Sequence, residues 1–302
     1  MPTIYSIIRK TFSLMTISSL LCFSSCSKDD NEAQQQPTET APTSNLSIEP
    51  TNTFASIKLS AADFDYWNSH GINTAETSEK LKTLCKTELY SVLKDDFDFV
   101  IFVLNNTNYP TNMPTGEYNP VKNDTKGIGL SLFDNTASYG SAGKLQGVYF
   151  LYKNNIDQGP ILHEMTHRWA NWIVPQTYAG HWDNVNGILK SVGNNYADIE
   201  LYLMGLIPAS QITDPESLAI YNDSRYTDKI RIPNSTNSQK SFNSLLVVLT
   251  PTELSETEIS SYKTKIDHIT RIGVTPIGYQ NLSEKTNGKA TLTIGNLNTH
   301  KK

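Results

Sequence analysis

Cysteine is scarce in this chain: there are three in 302 residues, with Cys22 and Cys26 near the N-terminus and Cys85 alone in the body. That excludes a disulfide framework, so the body must be held by packing or by metal. Cationic charge is short as well. Lys and Arg total 25 against 30 Asp and Glu, a net charge of -5, so no broad positive surface exists to neutralise phosphates and no nucleic-acid partner is expected. Past the N-terminal segment no stretch holds the roughly 18 consecutive apolar positions that a membrane-spanning helix needs. A Gly-rich phosphate loop and a G-x-S-x-G elbow are both missing, which removes nucleotide-cradling and serine-hydrolase readings. What is there, 38% hydrophobic and 10% aromatic residues, suffices for one large domain or two small ones.

Residues 1–25 have the layout of a secretory signal, with Arg9 and Lys10 ahead of the apolar run Phe12 to Phe23. The run ends in Ser24-Ser25-Cys26, two small residues before a cysteine, which resembles a bacterial lipobox and makes Cys26 the expected lipidation site. The acidic Ser27-Lys28-Asp29-Asp30-Asn31-Glu32 that follows resembles the tag of lipoproteins carried to the outer face of a Gram-negative outer membrane. Residues 26–54 are rich in Gln, Pro, Thr and Ser, too polar to offset their ordering entropy, and are expected to form a disordered tether. Membrane contact is then expected only through the lipid at Cys26.

The body, residues 55–302, is expected to be a single domain. A helix is predicted over Thr74 to Lys94, with Asn73 and Glu76 at capping-box spacing. Phe99 to Leu104 is continuously apolar, the mark of a strand buried on both faces. Gly127 to Phe133 and Leu145 to Tyr152 read as two further strands. Pro160 suits a first helical turn, and Ile161, Met165, Trp169 and Trp172 then make one apolar stripe. Helices at Asp214 to Tyr221 and Glu256 to Arg271 and a strand at Leu245 to Leu249 complete a C-terminal half expected to be mostly helical.

On the predicted helix lies His163-Glu164-Met165-Thr166-His167, an H-E-x-x-H motif. Residues four apart share a helix face, so both imidazoles can reach one zinc ion while Glu164 stands beside it as a proton acceptor. Cys85 fits the apolar stripe of its own helix and reads as an inert core thiol. His70 and His268 lie far from the motif and read as surface residues, and His300 reads as part of a terminal tail.

This order, a backing helix, a mixed sheet and then an H-E-x-x-H helix, resembles the zincin metallopeptidases and implies an α+β fold with a mixed twisted sheet. In zincins the strand before the active-site helix is expected to be an edge that pairs with extended substrate, which points to Leu145 to Tyr152. The metzincin extension is missing, since Ala170 and Ile173 stand where Gly and a third His belong. The chain is more similar to a group of secreted bacterial proteins with H-E-x-x-H-R-W, a later H-W, E-L-Y-L-M-G-L and T-x-G-x-A-x-L. Here those are His163 to Trp169, His181-Trp182, Glu200 to Leu206 and Thr286 to Leu292.

Three residues compete for the third ligand position. His181, fourteen residues past His167 and behind Pro175 and Gly180, is preferred; Glu200 is the gluzincin-like alternative and Asp198 the third. Tyr202 and Met204 are candidate flanking residues, the one near a substrate oxyanion and the other as a floor under the metal. The expected function is a surface-anchored, zinc-dependent hydrolase of peptide bonds. A non-catalytic binding or adhesion lipoprotein and a structural zinc domain are the alternatives, and a water in the fourth metal position favours the hydrolase.

Overall fold

The computed structural model describes residues 44–72, 74–108, 110–170, 172–173 and 195–302. The chain divides into 1–41 and 42–302, and all described elements belong to the second unit. In chain order they are β1 (Leu46–Ile48), β2 (Ala55–Lys58), α1 (Ala61–His70), α2 (Ala75–Thr83), β3 (Phe99–Leu104), β4 (Gly116–Pro120), β5 (Lys122–Asn123), β6 (Phe133–Asp134), β7 (Gly147–Tyr152), α3 (Pro160–Thr166), α4 (Asp198–Met204), α5 (Pro215–Tyr221), β8 (Ser241–Thr250), α6 (Glu256–Thr270), α7 (Leu282–Lys285) and β9 (Thr291–Ile294). The signal segment and Cys26 lie outside the described residues. No helix among those described is long and apolar enough to cross a membrane.

A seven-stranded mixed sheet runs in the order β1-β2-β8-β3-β7-β4, with β9 alongside β8. Every residue of β3 is buried, because the apolar run Phe99 to Leu104 is sandwiched between two layers. One face presents Phe99, Ile101 and Val103 to a cluster with Met165, Leu201 and Tyr262. The other presents Val100, Phe102 and Leu104 to Trp67, Leu81 and Cys85. The two strands that flank β3, β7 and β8, are both parallel to it.

Several expectations shift. Residues 46–48, assigned above to the tether, form β1, antiparallel to β2; Leu46 and Ile48 pack against the core and hold that strand in place. The helix predicted over Thr74 to Lys94 stops as an α-helix at Thr83 and continues as a π-helical turn, Leu84–Leu89. Its cap is Thr74, whose hydroxyl accepts the Thr77 N–H at 3.1 Å, while Asn73 lies outside the described residues. Of the strand predicted at Gly127 to Phe133 only Phe133 remains, in β6. Gly127 has φ +74 and its Cα faces the Ile230 carbonyl so closely that a Cβ would lie 2.3 Å from it, a turn that no extended strand makes.

The C-terminal half is not mostly helical. Its ten-residue β8 runs through the middle of the sheet, pairing with β2 along one end and β9 along the other. The apolar run Leu245 to Leu249 is buried on both faces, which a surface helix would not permit. The strand before α3, β7, is not an edge either: it lies between β3 and β4, and β4 is the antiparallel edge strand. The architecture is therefore α/β with flanking helices.

Candidate metal centre

Where β7 ends, a short connection leads to α3, which begins at Pro160 behind Gly159. Seven residues make an intrinsically weak helix, so its geometry depends on outside bonds. Tyr196 donates its hydroxyl to the Leu162 carbonyl at 2.6 Å and the Trp172 indole N–H donates to the His167 carbonyl at 3.2 Å; within the helix, Thr166 donates to the His163 carbonyl at 2.7 Å. Just beyond the helix, buried Arg168 donates to Gln146, Asn123 and Asp124. Those bonds tie the end of the motif to the sheet and the adjoining hairpin. Of the expected apolar stripe Ile161 and Met165 are buried on the helix, but the helix ends at Thr166, so Trp169, also buried, and Trp172, half-buried, lie beyond it.

The stripe turns the motif residues the other way. His163, Glu164 and His167 bring a ring nitrogen, a carboxylate oxygen and a second ring nitrogen within 4.8 Å of one another, a group that could hold a metal ion. The imidazole rings stand 5.0 Å apart at 90°, and Glu164 Oε2 lies 3.9 Å from His167 Nε2. Two imidazoles and a carboxylate suit zinc or a neighbouring divalent transition metal.

Glu164 lies flat against the edge strand. A Cβ at Gly116 would sit 2.8 Å from Glu164 Cγ, so a bare backbone there makes room for the carboxylate stem. Burial pushes the Glu164 carboxyl up to about 7, and the charge of Glu117 adds to the rise. Glu117 is itself buried and accepts the Ile72 N–H at 2.9 Å. Gly116 and Glu117 were missed in the sequence because Gly116 to Pro120 carries no alternation or β-branched run.

The remaining candidates are placed as follows. His181 lies outside the described residues. Glu200 is buried in the first turn of α4, where its Oε2 accepts the Ala197 N–H at 2.6 Å, and it does not belong to the metal-capable group. Asp198 accepts from the Thr213 N–H at 2.7 Å and the Asp214 N–H at 3.1 Å, pinning the segment before α5. Tyr202 donates its hydroxyl to the Lys229 carbonyl, and Met204 is core. His268 and His300 are engaged with Asp157 and Asp96 at 2.8 and 2.7 Å. Burial raises the Cys85 thiol, in keeping with an inert core residue.

Comparison with protein-family models, curated proteins and solved structures gave no match.

Proposed function

We propose that the protein is a zinc-dependent metallopeptidase of zincin type, held at the outer surface of a Gram-negative outer membrane by lipid on Cys26. The supporting observation is the His163-Glu164-His167 group, with its carboxyl raised by burial and set against an edge strand. A zinc ion there would supply Lewis acidity and a water acidified to about 7. Glu164 takes the proton of the attacking water and returns it to the leaving amine. The edge of β4, which pairs with no further strand among the described residues, takes an extended peptide as an added strand, presenting the scissile bond beside Glu164. The third protein ligand in this reading is His181. Glu200 is the lesser alternative because its carboxylate already serves the start of α4.

The deciding experiment pairs metal analysis with a mixed-peptide cleavage assay read by mass spectrometry. Wild-type protein is expected to carry one zinc and to cleave. Glu164→Gln is expected to keep zinc and fold while losing about 10²–10⁴-fold or more of the rate, the usual worth of a general base. His163→Ala, His167→Ala and His181→Ala are expected to lose metal. Equal cleavage by wild type and Glu164→Gln refutes the mechanism, and zinc kept by His181→Ala but lost by Glu200→Ala transfers the third position to Glu200.

A further inference from the structure

Two buried arginines line one cavity of ≈ 310 Å3, Arg168 from just beyond α3 and Arg231 from the segment ahead of β8. Like charges in one low-dielectric space repel, so each needs compensation. Arg168 has Asp124 at 2.9 Å, but Asp124 also faces Lys122 at 3.3 Å. Among the described residues Arg231 donates only to carbonyls, its Nε and Nη2 to Leu203 and Met204 at 2.7 and 2.8 Å and its Nη1 to Pro233, while the same Asp124 acts on it as a charge without a hydrogen bond. Among the described residues Asp124 is the single carboxylate of the lining. The cavity therefore carries an excess of positive charge. Burial, reinforced by Arg168, pulls the Arg231 guanidinium down to about 10, still fully charged at neutral pH.

The two forks are fixed in place. Gly205, at φ +76, lies against the Arg231 guanidinium, and a Cβ there would meet Cζ at 2.3 Å. Each guanidinium has five N–H groups and makes three hydrogen bonds to described residues, so two N–H groups on each have no acceptor among the described residues. Asn237 and Gln239 are exposed and also line the cavity, so the cavity opens to solvent and adds neutral donors at its mouth. Preorganised, partly desolvated guanidiniums with spare donors are the chemistry that recognises oxyanions.

We infer that this cavity is a binding site for a small free oxyanion, gripped between Arg168 and Arg231. The site does not depend on metal at the histidine cluster. The test is calorimetric titration of the full chain with inorganic phosphate at constant ionic strength, chloride being the control salt. Saturable phosphate binding is expected in wild type and equally in His163→Ala, which separates this cavity from phosphate held by a metal. Arg231→Gln is expected to weaken binding at least tenfold. Asn237→Asp, an exposed position whose substitution leaves the packing intact, adds a negative charge at the mouth and is expected to weaken it severalfold. Should Arg231→Gln fail to fold, Asn237→Asp decides. Absence of saturable binding up to about 10 mM phosphate, a ceiling weaker than about -3 kcal/mol, overturns the inference; so does binding lost in His163→Ala, or binding unchanged in Asn237→Asp.

Discussion

Glu164 and Gly116 are a pair that neither position explains alone. The carboxylate stem fits because its neighbour on β4 has no side chain, and the proposed base gains its raised carboxyl from the same close packing. Gly116→Ala would also press on Leu151 Cδ2, 2.9 Å from the new Cβ. Overpacking of this kind costs about 1–3 kcal/mol, readable as a lower urea midpoint with unchanged slope. Peptide cleavage is expected to fall in the same variant while zinc content stays, because both histidines keep their positions on α3. Cleavage unchanged in a destabilised Gly116→Ala would show that the carboxylate has room to move. The motif residues themselves were legible from spacing four apart on a helix. The glycine that accommodates them was not, because a single Gly among turn-forming residues reads as loop until its neighbour across space is known.

At the scale of elements, α6 shows how a well-capped helix differs from α3. Ser255 and Glu258 form a capping box, the carboxylate accepting the Ser255 N–H at 2.9 Å, and Asn105 reaches the other oxygen at 2.9 Å. The Asn105 bond and then the Ser255 N–H lower the Glu258 carboxyl to about 2. Because the folded value lies below the unfolded one, near 4.5, the stabilisation is complete above that pH and fades as pH falls towards 2. Glu258→Gln is therefore expected to cost about 1 kcal/mol at pH 7, with the difference from wild type narrowing below about pH 4.5 and closing near pH 2 in acid-denaturation curves. A gap constant from pH 7 to 2 would reject the charge-based account. Helix α6 and its cap were readable from Ser255 and the apolar spacing that follows. Helix α3 was readable from Pro160, the motif and the apolar spacing, but its end at Thr166 and its bond from Tyr196, thirty positions further on, were not, because the local sequence does not connect Tyr196 to it.

For the molecule as a whole, the two proposed attachments, metal and lipid, have separable consequences. A metal bound by the folded state alone stabilises it by about 4 kcal/mol at a thousandfold excess over its dissociation constant. Chelation of the zinc-loaded protein is thus expected to lower its melting temperature, with recovery on adding zinc, and His163→Ala is expected to melt as the chelated wild type does. Cys26→Ser is expected to move the protein from the membrane to the soluble fraction without altering that melting temperature. Unchanged partitioning of Cys26→Ser would reject the anchor.

The sequence by itself determined the parts whose physics is local: the buried run Phe99 to Leu104, the cap at Ser255, and the face shared by His163, Glu164 and His167. Tertiary structure decided which strands became neighbours. It placed β7 inside the sheet and β4 at its edge, and it recruited residues 46–48 from an apparent tether. It also brought Arg168 and Arg231 into one cavity across sixty-three positions of sequence. Hydrophobic periodicity records whether a segment is buried, but not against what. Pairing order and the meeting of two charged side chains are set by long-range packing, for which a single chain of residue types carries no local signature.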